Sequence, residues 1–370
     1  MWIVGSLMGR YGLWIIAGCR GSSPADLASA VRRSGGCEVF REVRDREEWN
    51  EAVKGLGGSV LQSWEWGEFR RSNGWRPMRL LGEAGAAQIL LRSAPGLGAI
   101  AYAPHGPLAS EGSGLGGVIE EVSERAKKEG AHLIDVEPRV DEGEFPADIG
   151  FEKIESIQPR CTLVLDVLED AEKQLAAFPK DTRYGVRRAG REGIEAGPAG
   201  NLDEDLEAFM GLHEETAERQ SFAVRPREYY RRLMRELPAH LIVAKRDGEL
   251  MAGAVVLTFG AEAFYLYGAS TRQGDNLYAS YLTQFEALSA ARGAGVKKYD
   301  MYGVPCAPTE DHPLWGVYKF KKKFGGREER YAGTHEKRLK PLQAGVFKAG
   351  MSGYAALQKL RGRGSGPVSD

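Results

Sequence analysis

Two short stretches of the chain concentrate positive charge in patterns that suit an anion. Lys180-Asp-Thr-Arg183-Tyr-Gly-Val-Arg187-Arg188-Ala-Gly-Arg191 sets five basic residues against one acidic residue, at i, i+3, i+7, i+8 and i+11. On a helix those positions form one stripe, which is either an ordinary solvated face or a phosphate-binding one. The second stretch is Tyr318-Lys319-Phe320-Lys321-Lys322-Lys323-Phe324-Gly325-Gly326-Arg327; with Arg330, residues 319–330 carry six basic and two acidic side chains. Aromatics and lysines interleave there, so alternate residues can pack inward while ammonium groups face a polyanion. The other reading is an edge strand or turn guarded by lysines.

These clusters stand on a neutral background. The 370 residues hold 50 Lys plus Arg against 51 Asp plus Glu, a net charge of −1. That balance excludes a protein that coats nucleic acid through bulk charge, and it makes the two local excesses read as directed phosphate contacts. A third segment, Leu61-Gln62-Ser63-Trp64-Glu65-Trp66-Gly67-Glu68-Phe69-Arg70 followed by Gly74-Trp75, is unusually aromatic. Ser63 can cap a helix there, with Trp66, Phe69 and Arg70 at i, i+3 and i+4. The tryptophans read as a core seam; Arg70 and Arg71 are solvated or face a cleft and hold an anionic ligand.

Other chemistries find no support. The sequence has no HExxH, no GxSxG, no GxxxxGK[ST] and no metal-spaced Cys/His set, so no metal is expected. Ser270-Thr-Arg272-Gln-Gly274 offers one glycine where a coenzyme A pyrophosphate cradle wants several exposed amides. Cys19, Cys37, Cys161 and Cys306 are few and scattered, which predicts free thiols in a reducing compartment.

The elements that carry these residues occur twice. A helix at 63–72 precedes strands at 77–82, 86–92 and 99–103 and a helix at 115–129; strands at 240–245, 250–258 and 262–268 precede a helix at 277–293. AKKEGAHLIDVEP (126–138) aligns without a gap on ARGAGVKKYDMYG (291–303), matching Gly130 with Gly295 and Asp135 with Asp300. Each glycine is placed to end its helix in the left-handed conformation. Gly85 and Gly248 are matched as the glycines of the first hairpin in each half. The fold class expected is therefore α/β, with two tandem units of mixed sheet. The first unit spans 37–165, completed by 331–345, and the second spans 166–330. Residues 1–36 are expected to be a poorly ordered extension or to follow an upstream start; Ile16-Ala-Gly-Cys19 looks like a lipoprotein cleavage box but lacks a basic region before it. Phe347, Met351, Tyr354 and Leu357 predict a terminal helix over 346–361, docked on the protein or resting on a bilayer, with a disordered tail to 370.

Taken together, these segments resemble the FemABX family of peptidoglycan bridge-forming aminoacyltransferases, in particular its short FemX-type members. The resemblance is carried by LQSWEWGEFRRSNGW (61–75), YAPHGPL (102–108), LIDVEP (133–138), IQPRCTLVLD (157–166), DTRYGVRRAGREG (181–193), FAVRPREYY (222–230), YLYGAS (265–270) and GVYKFKKKFGG (316–326). It implies two GNAT-like domains, and transfer of glycine, alanine or serine from aminoacyl-tRNA to an amine on the stem peptide of lipid II or UDP-MurNAc-pentapeptide. Aminoacyl-tRNA is then a co-substrate, with no other cofactor, and the work is cytoplasmic, with or without contact with the inner membrane face. No long charged helical hairpin interrupts the second unit, unlike the FemA-type members.

Residue by residue, the resemblance assigns Arg70, Arg225, Tyr229, Tyr267 and Phe320 to substrate. A bidentate guanidinium suits a diphosphate. Lys321 falls near the transferred acyl ester, to stabilise an oxyanion or hold the tRNA end. Asp135 is a candidate general base, or a structural residue like Asp300. The basic stripes, Lys180, Arg183, Arg187 and Arg191 with Lys319, Lys322 and Lys323, are the candidate tRNA contacts. Two rival readings keep the fold: a CoA-dependent N-acyltransferase and a non-catalytic binding module.

Overall fold

The structure is a computed structural model that describes residues 40–94, 98–220 and 223–347. The extension at 1–36, most of the terminal helix and the tail lie outside the described residues. Fifteen strands are described: β1 (Arg41–Glu42), β2 (Arg76–Gly82), β3 (Gly85–Ala94), β4 (Gly98–Ala103), β5 (Leu108–Ala109), β6 (Ala131–Val136), β7 (Glu152–Lys153), β8 (Cys161–Asp166), β9 (Glu195–Pro198), β10 (Ala239–Arg246), β11 (Glu249–Phe259), β12 (Glu262–Ser270), β13 (Lys298–Asp300), β14 (Arg327–Arg330) and β15 (His335–Arg338). The helices are α1 (Arg46–Gly55), α2 (Trp64–Arg71), α3 (Leu115–Lys128), α4 (Ala171–Ala177), α5 (Lys180–Arg191), α6 (Leu202–Gln220), α7 (Arg227–Glu236), α8 (Arg272–Asn276), α9 (Ala279–Gly293) and α10 (Trp315–Lys322).

The strands form two mixed sheets. One runs β1-β2-β3-β4-β6-β15-β7, with β5 beside β3; the other runs β14-β8-β13-β12-β11-β10-β9. In the first, α3 crosses from β4 to the parallel strand β6; in the second, α9 crosses from β12 to the parallel β13. Gly130 (φ 88°) and Gly295 (φ 77°) end these crossover helices in the left-handed region. Asp135 lies opposite Tyr102, and Asp300 opposite Phe264, at matching places in the two sheets.

The hairpin glycines do not match. Arg246 pairs with Glu249, leaving Asp247 (φ 51°) and Gly248 (φ 84°) as a two-residue loop of the type that follows strand twist. In the first sheet Gly82 pairs with Gly85, so the loop is Glu83-Ala84 and Gly248 is equivalent to Ala84.

Each half completes the other's sheet. β8, which the sequence reading leaves in the first unit, pairs antiparallel with β13 in the second sheet. β15, in the 331–345 segment assigned to complete the first unit, returns after the second and pairs antiparallel with β6 in the first sheet. Pulling the halves apart would therefore break backbone ladders in both sheets, and the buried polar groups exposed to no partner would each cost free energy. A shared core seals the same boundary: Trp49, Trp66 and Phe69 from the first half pack with Phe209, Tyr230, Phe264 and Tyr267 from the second.

The free-thiol expectation fails for one pair. Cys161 at the start of β8 is disulfide-bonded to Cys306 in the loop between β13 and α10, 145 residues apart in sequence. The same pair of segments is joined by the Cys161–Val304 bridge. Sequence spacing hid this because the contact is made by strand exchange. Alkylating the native protein before and after reduction should add two labels, at Cys161 and Cys306, by peptide mass spectrometry; labelling of both without a reductant would refute the bond.

Candidate active site

Helix α2 is fixed by polar groups before any ligand is considered. Ser63 caps it, accepting from Trp66 N at 3.1 Å. Gln62 accepts from Gln88 N at 2.7 Å and donates to Pro104 O at 2.6 Å, while the Trp49 indole donates to Gln62 O at 2.8 Å. Gly67 has no room for a β-carbon, which would stand 2.2 Å from Gln88 Oε1. The helix therefore lies tight on the sheet and aims Arg70 inward, while Arg71 stays outside and pairs with Glu68 at 2.8 Å.

Arg70 is only 5% exposed and, among the described residues, makes no ion pair and leaves its Nε without a hydrogen-bond partner. Its guanidinium lies 5.9 Å from the Trp66 ring and 5.7 Å from the Trp75 ring, and Arg92 covers Trp75 at 5.6 Å. Burial pulls the Arg70 pKa down to about 10, opposed by Tyr229 and Tyr102 and aided by the charges of Arg225 and Arg92. A buried cation beside two others is costly unless an anion arrives.

The second half supplies the rest of this cluster, called below the Arg70 pocket. The Phe69 and Tyr229 rings meet edge-on at 5.2 Å, which docks α2 against α7. Arg225 leads into α7, its backbone N donating to Tyr230 Oη at 3.2 Å, and its guanidinium lies 6.0 Å from the Tyr229 ring. Tyr230 in turn packs on Tyr267 at 5.2 Å. The Tyr229 and Tyr267 hydroxyls are buried and electrostatically coupled, and neither reaches good hydrogen-bond geometry with a protein group. The structure thus gathers Arg70, Arg225, Tyr229 and Tyr267, from three separate segments, and adds Arg92 and Tyr102.

Lys321 sits on the other side of a short polar chain. Residues 315–322 form a helix, not an extended run with alternate residues inward, because Phe320 and Phe324 pack at helical spacing (5.3 Å) and both meet Tyr281. Phe320 is thereby tied into the second core. Lys321 alone of the four lysines is buried; its Nζ donates to Tyr302 O at 2.8 Å and Gly303 O at 3.0 Å, with the Tyr265 ring 5.7 Å away. Burial lowers its pKa to about 7, against the pull of Asp300. Tyr302 Oη donates to Gln158 Oε1 at 2.7 Å, and Gln158 Nε2 donates to Tyr102 Oη at 2.9 Å, so Lys321 is linked to the wall of the Arg70 pocket. The same hydroxyl of Tyr102 donates to Glu137, which also accepts from Ile157 N and Gln158 N at 2.9 Å.

The two aspartates are buried in their sheets. Asp300 accepts from Tyr302 N at 2.6 Å and from Thr162 Oγ1, and Arg139 stands 3.7 Å away. Arg139 comes from the first half and clamps Glu262 at 2.6 and 2.8 Å. Burial works against the Arg139 charge, but Glu262 and Asp300 outweigh it. Asp135 lies inside the first sheet between Tyr102 and Glu336.

The basic stripes adjoin one another. Thr182, Gly185, Val186 and Ala189 form the buried face of α5. Thr182 Oγ1 donates to the carbonyl of Lys323, and Tyr278 lies between Gly185 and the Arg188 guanidinium, 5.4 Å from the latter. Lys180, Arg187, Arg191, Lys319, Lys322 and Lys323 are exposed on this surface. Arg183 is turned back, donating to Phe178 O at 2.6 Å and Ala176 O at 3.1 Å, and Lys322 pairs with Glu328 at 2.6 Å.

Comparison with known proteins now bears on this arrangement. The sequence model of the FemAB family matches residues 148–245 and 239–350. The chain belongs to the FemAB family. It is 28% identical over 314 residues to the UDP-N-acetylmuramoylpentapeptide-lysine N(6)-alanyltransferase of Weissella viridescens, covering 77% of this chain and 90% of that one. It is 23% identical to the lipid II:glycine glycyltransferase of Staphylococcus haemolyticus, covering 72% of this chain and 85% of that one. The crystal structure of FemX superposes with a TM-score of 0.75 over 83% of this chain and all of that chain, at 20% identity. The tandem α/β fold inferred from sequence is thus that of FemX.

This FemAB-family chain departs from the sequence reading in its unpredicted residues. Arg92, Tyr102, Gln158 and Tyr302 stood outside every motif except as letters within YAPHGPL, IQPRCTLVLD and the aligned strand end. The signal for Tyr102 and Tyr302 was positional, at or just past the ends of strands that the duplication had already paired, whereas Gln158 lies in the linker before β8.

Two outcomes follow from the buried cations. Replacing Arg70→Met should stabilise the ligand-free protein and raise its melting temperature. Pyrophosphate should stabilise the wild type and leave the variant unmoved; a destabilised variant that still responds to pyrophosphate would refute the anion pocket. For Lys321, the unfolded chain binds a proton that the folded chain has released between pH 7 and the ordinary lysine value. Stability should therefore rise with pH across that window, and Lys321→Met should flatten the rise in urea titrations. A flat profile over the same window would show the folded lysine to stay charged.

Proposed function

We propose that this chain transfers an aminoacyl group from aminoacyl-tRNA to an amine on the stem peptide of a peptidoglycan precursor, lipid II or UDP-MurNAc-pentapeptide. The observation that carries the reading is the Arg70 pocket: a buried guanidinium without a carboxylate, with Arg92, Arg225 and two poorly satisfied tyrosine hydroxyls around it. A diphosphate supplies the counter-charge for Arg70 and suits the bidentate geometry of a guanidinium. The relatives from Weissella and Staphylococcus are named for alanyl and glycyl transfer to such precursors, which supports a small transferred amino acid of the glycine, alanine or serine kind.

In this mechanism the acceptor amine attacks the ester carbonyl of the aminoacyl-tRNA. The C–N bond forms, the tetrahedral oxyanion collapses, and the C–O bond to the ribose breaks. The amine loses a proton, and the departing ribose oxygen gains one. The ester is already activated, so positioning and charge stabilisation carry the rate. Lys321 is the group suited to the oxyanion, because its ammonium is held dry by two carbonyls. Asp135 remains the candidate base. The exposed stripe of Lys180, Arg187, Arg191, Lys319 and Lys323 faces the tRNA, with Arg183 serving the end of α4. Phe320 supports this reading as packing behind Lys321, and Tyr267 as a wall of the diphosphate pocket. Among the described residues no helix is long and apolar enough to cross a membrane.

The test is direct. Purified protein with aminoacyl-tRNA and UDP-MurNAc-pentapeptide or lipid II should yield a product heavier by one aminoacyl residue. Lys321→Ala should lower kcat by about 100-fold or more. Transfer from acyl-CoA instead would replace the donor, and binding of precursor without turnover from either donor would replace the enzyme reading with a binding module.

A further inference from the structure

Tyr302 is a bulky residue in the left-handed region, φ 56°, a place where non-glycine residues persist only when their surroundings over-determine them. Here each of its polar groups is tied to a different element. The amide donates to Asp300 Oδ1 at 2.6 Å, the carbonyl accepts from Lys321 Nζ at 2.8 Å, and the hydroxyl donates to Gln158 Oε1 at 2.7 Å. The next residue, Gly303, gives Lys321 its second carbonyl at 3.0 Å. A β-carbon on Gly303 would stand 2.8 Å from Pro159, so the Gln158-Pro159 segment is pressed directly against the turn that holds the lysine.

Gln158 is 4% exposed and spans the two halves of the molecule. Its amide joins Tyr302, which follows the second sheet's β13, to Tyr102 on the first sheet's β4. The Tyr102 ring lies 6.5 Å from Trp75, which Arg70 also covers at 5.7 Å. Every link between the anion pocket and Lys321 is thus a buried hydrogen bond or a packed ring. Buried networks of this kind rigidify when fully satisfied, so displacement of one member is felt by the next.

We propose that Tyr302 is a positioning residue that couples occupation of the Arg70 pocket to the placement of the Lys321 ammonium, through Gln158 and Tyr102. A diphosphate seated on Arg70 bears on the Tyr102 side chain through the Trp75 ring that both touch. Tyr102 then fixes Gln158, and Gln158 fixes the left-handed turn whose two carbonyls aim Lys321. Binding energy from a part of the acceptor that does not react is in this way used at the reacting centre. The inference rests on the aminoacyltransferase reading above.

The experiment compares two acceptors at saturation: UDP-MurNAc-pentapeptide, and the same stem peptide without sugar, nucleotide or diphosphate. For the wild type, kcat with the whole precursor should exceed kcat with the bare peptide by about tenfold or more. Tyr302→Phe keeps the ring and the backbone bonds and removes the hydroxyl. It should bring the ratio close to one by lowering kcat on the whole precursor alone, with KM for that precursor changed by no more than about twofold. Gln158→Met, which leaves Tyr302 intact, should do the same and covers the case in which the first variant folds poorly. An equal loss on both acceptors would make Tyr302 merely structural and overturn the proposal, as would a wild type that does not distinguish the acceptors. Absence of wild-type transfer to either acceptor is a separate result: it overturns the transferase reading, and the coupling falls with it.

Discussion

The molecule is organised around the cost of holding Arg70 in its interior with no carboxylate to neutralise it. A solvated arginine would spare that cost, and a paired one would repay it internally; this chain does neither. Such burial costs free energy in the ligand-free protein, and a rigid scaffold is what keeps the guanidinium from swinging out to solvent to escape it. The dense polar anchoring of α2 through Gln62, Gln88 and Ser63, and the edge-on contact of Phe69 with Tyr229, supply that rigidity.

Strand exchange serves the same end on a larger scale. The pocket is built from α2 and β4 of one half and from α7 and β12 of the other, so its geometry is no better than the fixity of the two halves. With β8 and β15 traded between sheets and a shared aromatic core beneath, relative motion of the halves would need backbone hydrogen bonds to break. The Arg139–Glu262 clamp and the Cys161–Cys306 bond lie near this seam and tie it further. A site that must recognise a diphosphate at one end and support acyl transfer at the other gains from a frame that does not hinge.

Much of this was legible from residue order alone, for identifiable reasons. The glycines at 130 and 295 and the aspartates at 135 and 300 announced the repeat because turn chemistry and strand-end hydrogen bonding constrain single positions strongly. Ser63 announced its helix for the same reason. What escaped was set by long-range contact. The Cys161–Cys306 pair depends on β8 crossing to the far sheet. The inward turn of Lys321 among exposed lysines depends on a helical period where the interleaved aromatics read equally well as an alternating one. Gln158 and Tyr302 carry no motif, since their significance is only that they meet.

The duplication also explains which residues were free to change. Asp135 and Asp300 occupy matching strand ends, and both remain buried where a carboxylate can hold the adjoining turn; Asp300 visibly does so through Tyr302 N. Two residues further on, the halves diverge. The first has Glu137, whose oxygens are saturated by Tyr102, Thr334 and two backbone amides. The second has Tyr302, whose carbonyl turns toward Lys321 and whose hydroxyl reaches back across the seam. One copy of the strand end thus became an anchor for the linker, and the other became the mount for a buried cation. Because Gln158 lies in that linker and touches both, the two specialised copies are joined at the point where a once-symmetric pair of units would have been indifferent to each other.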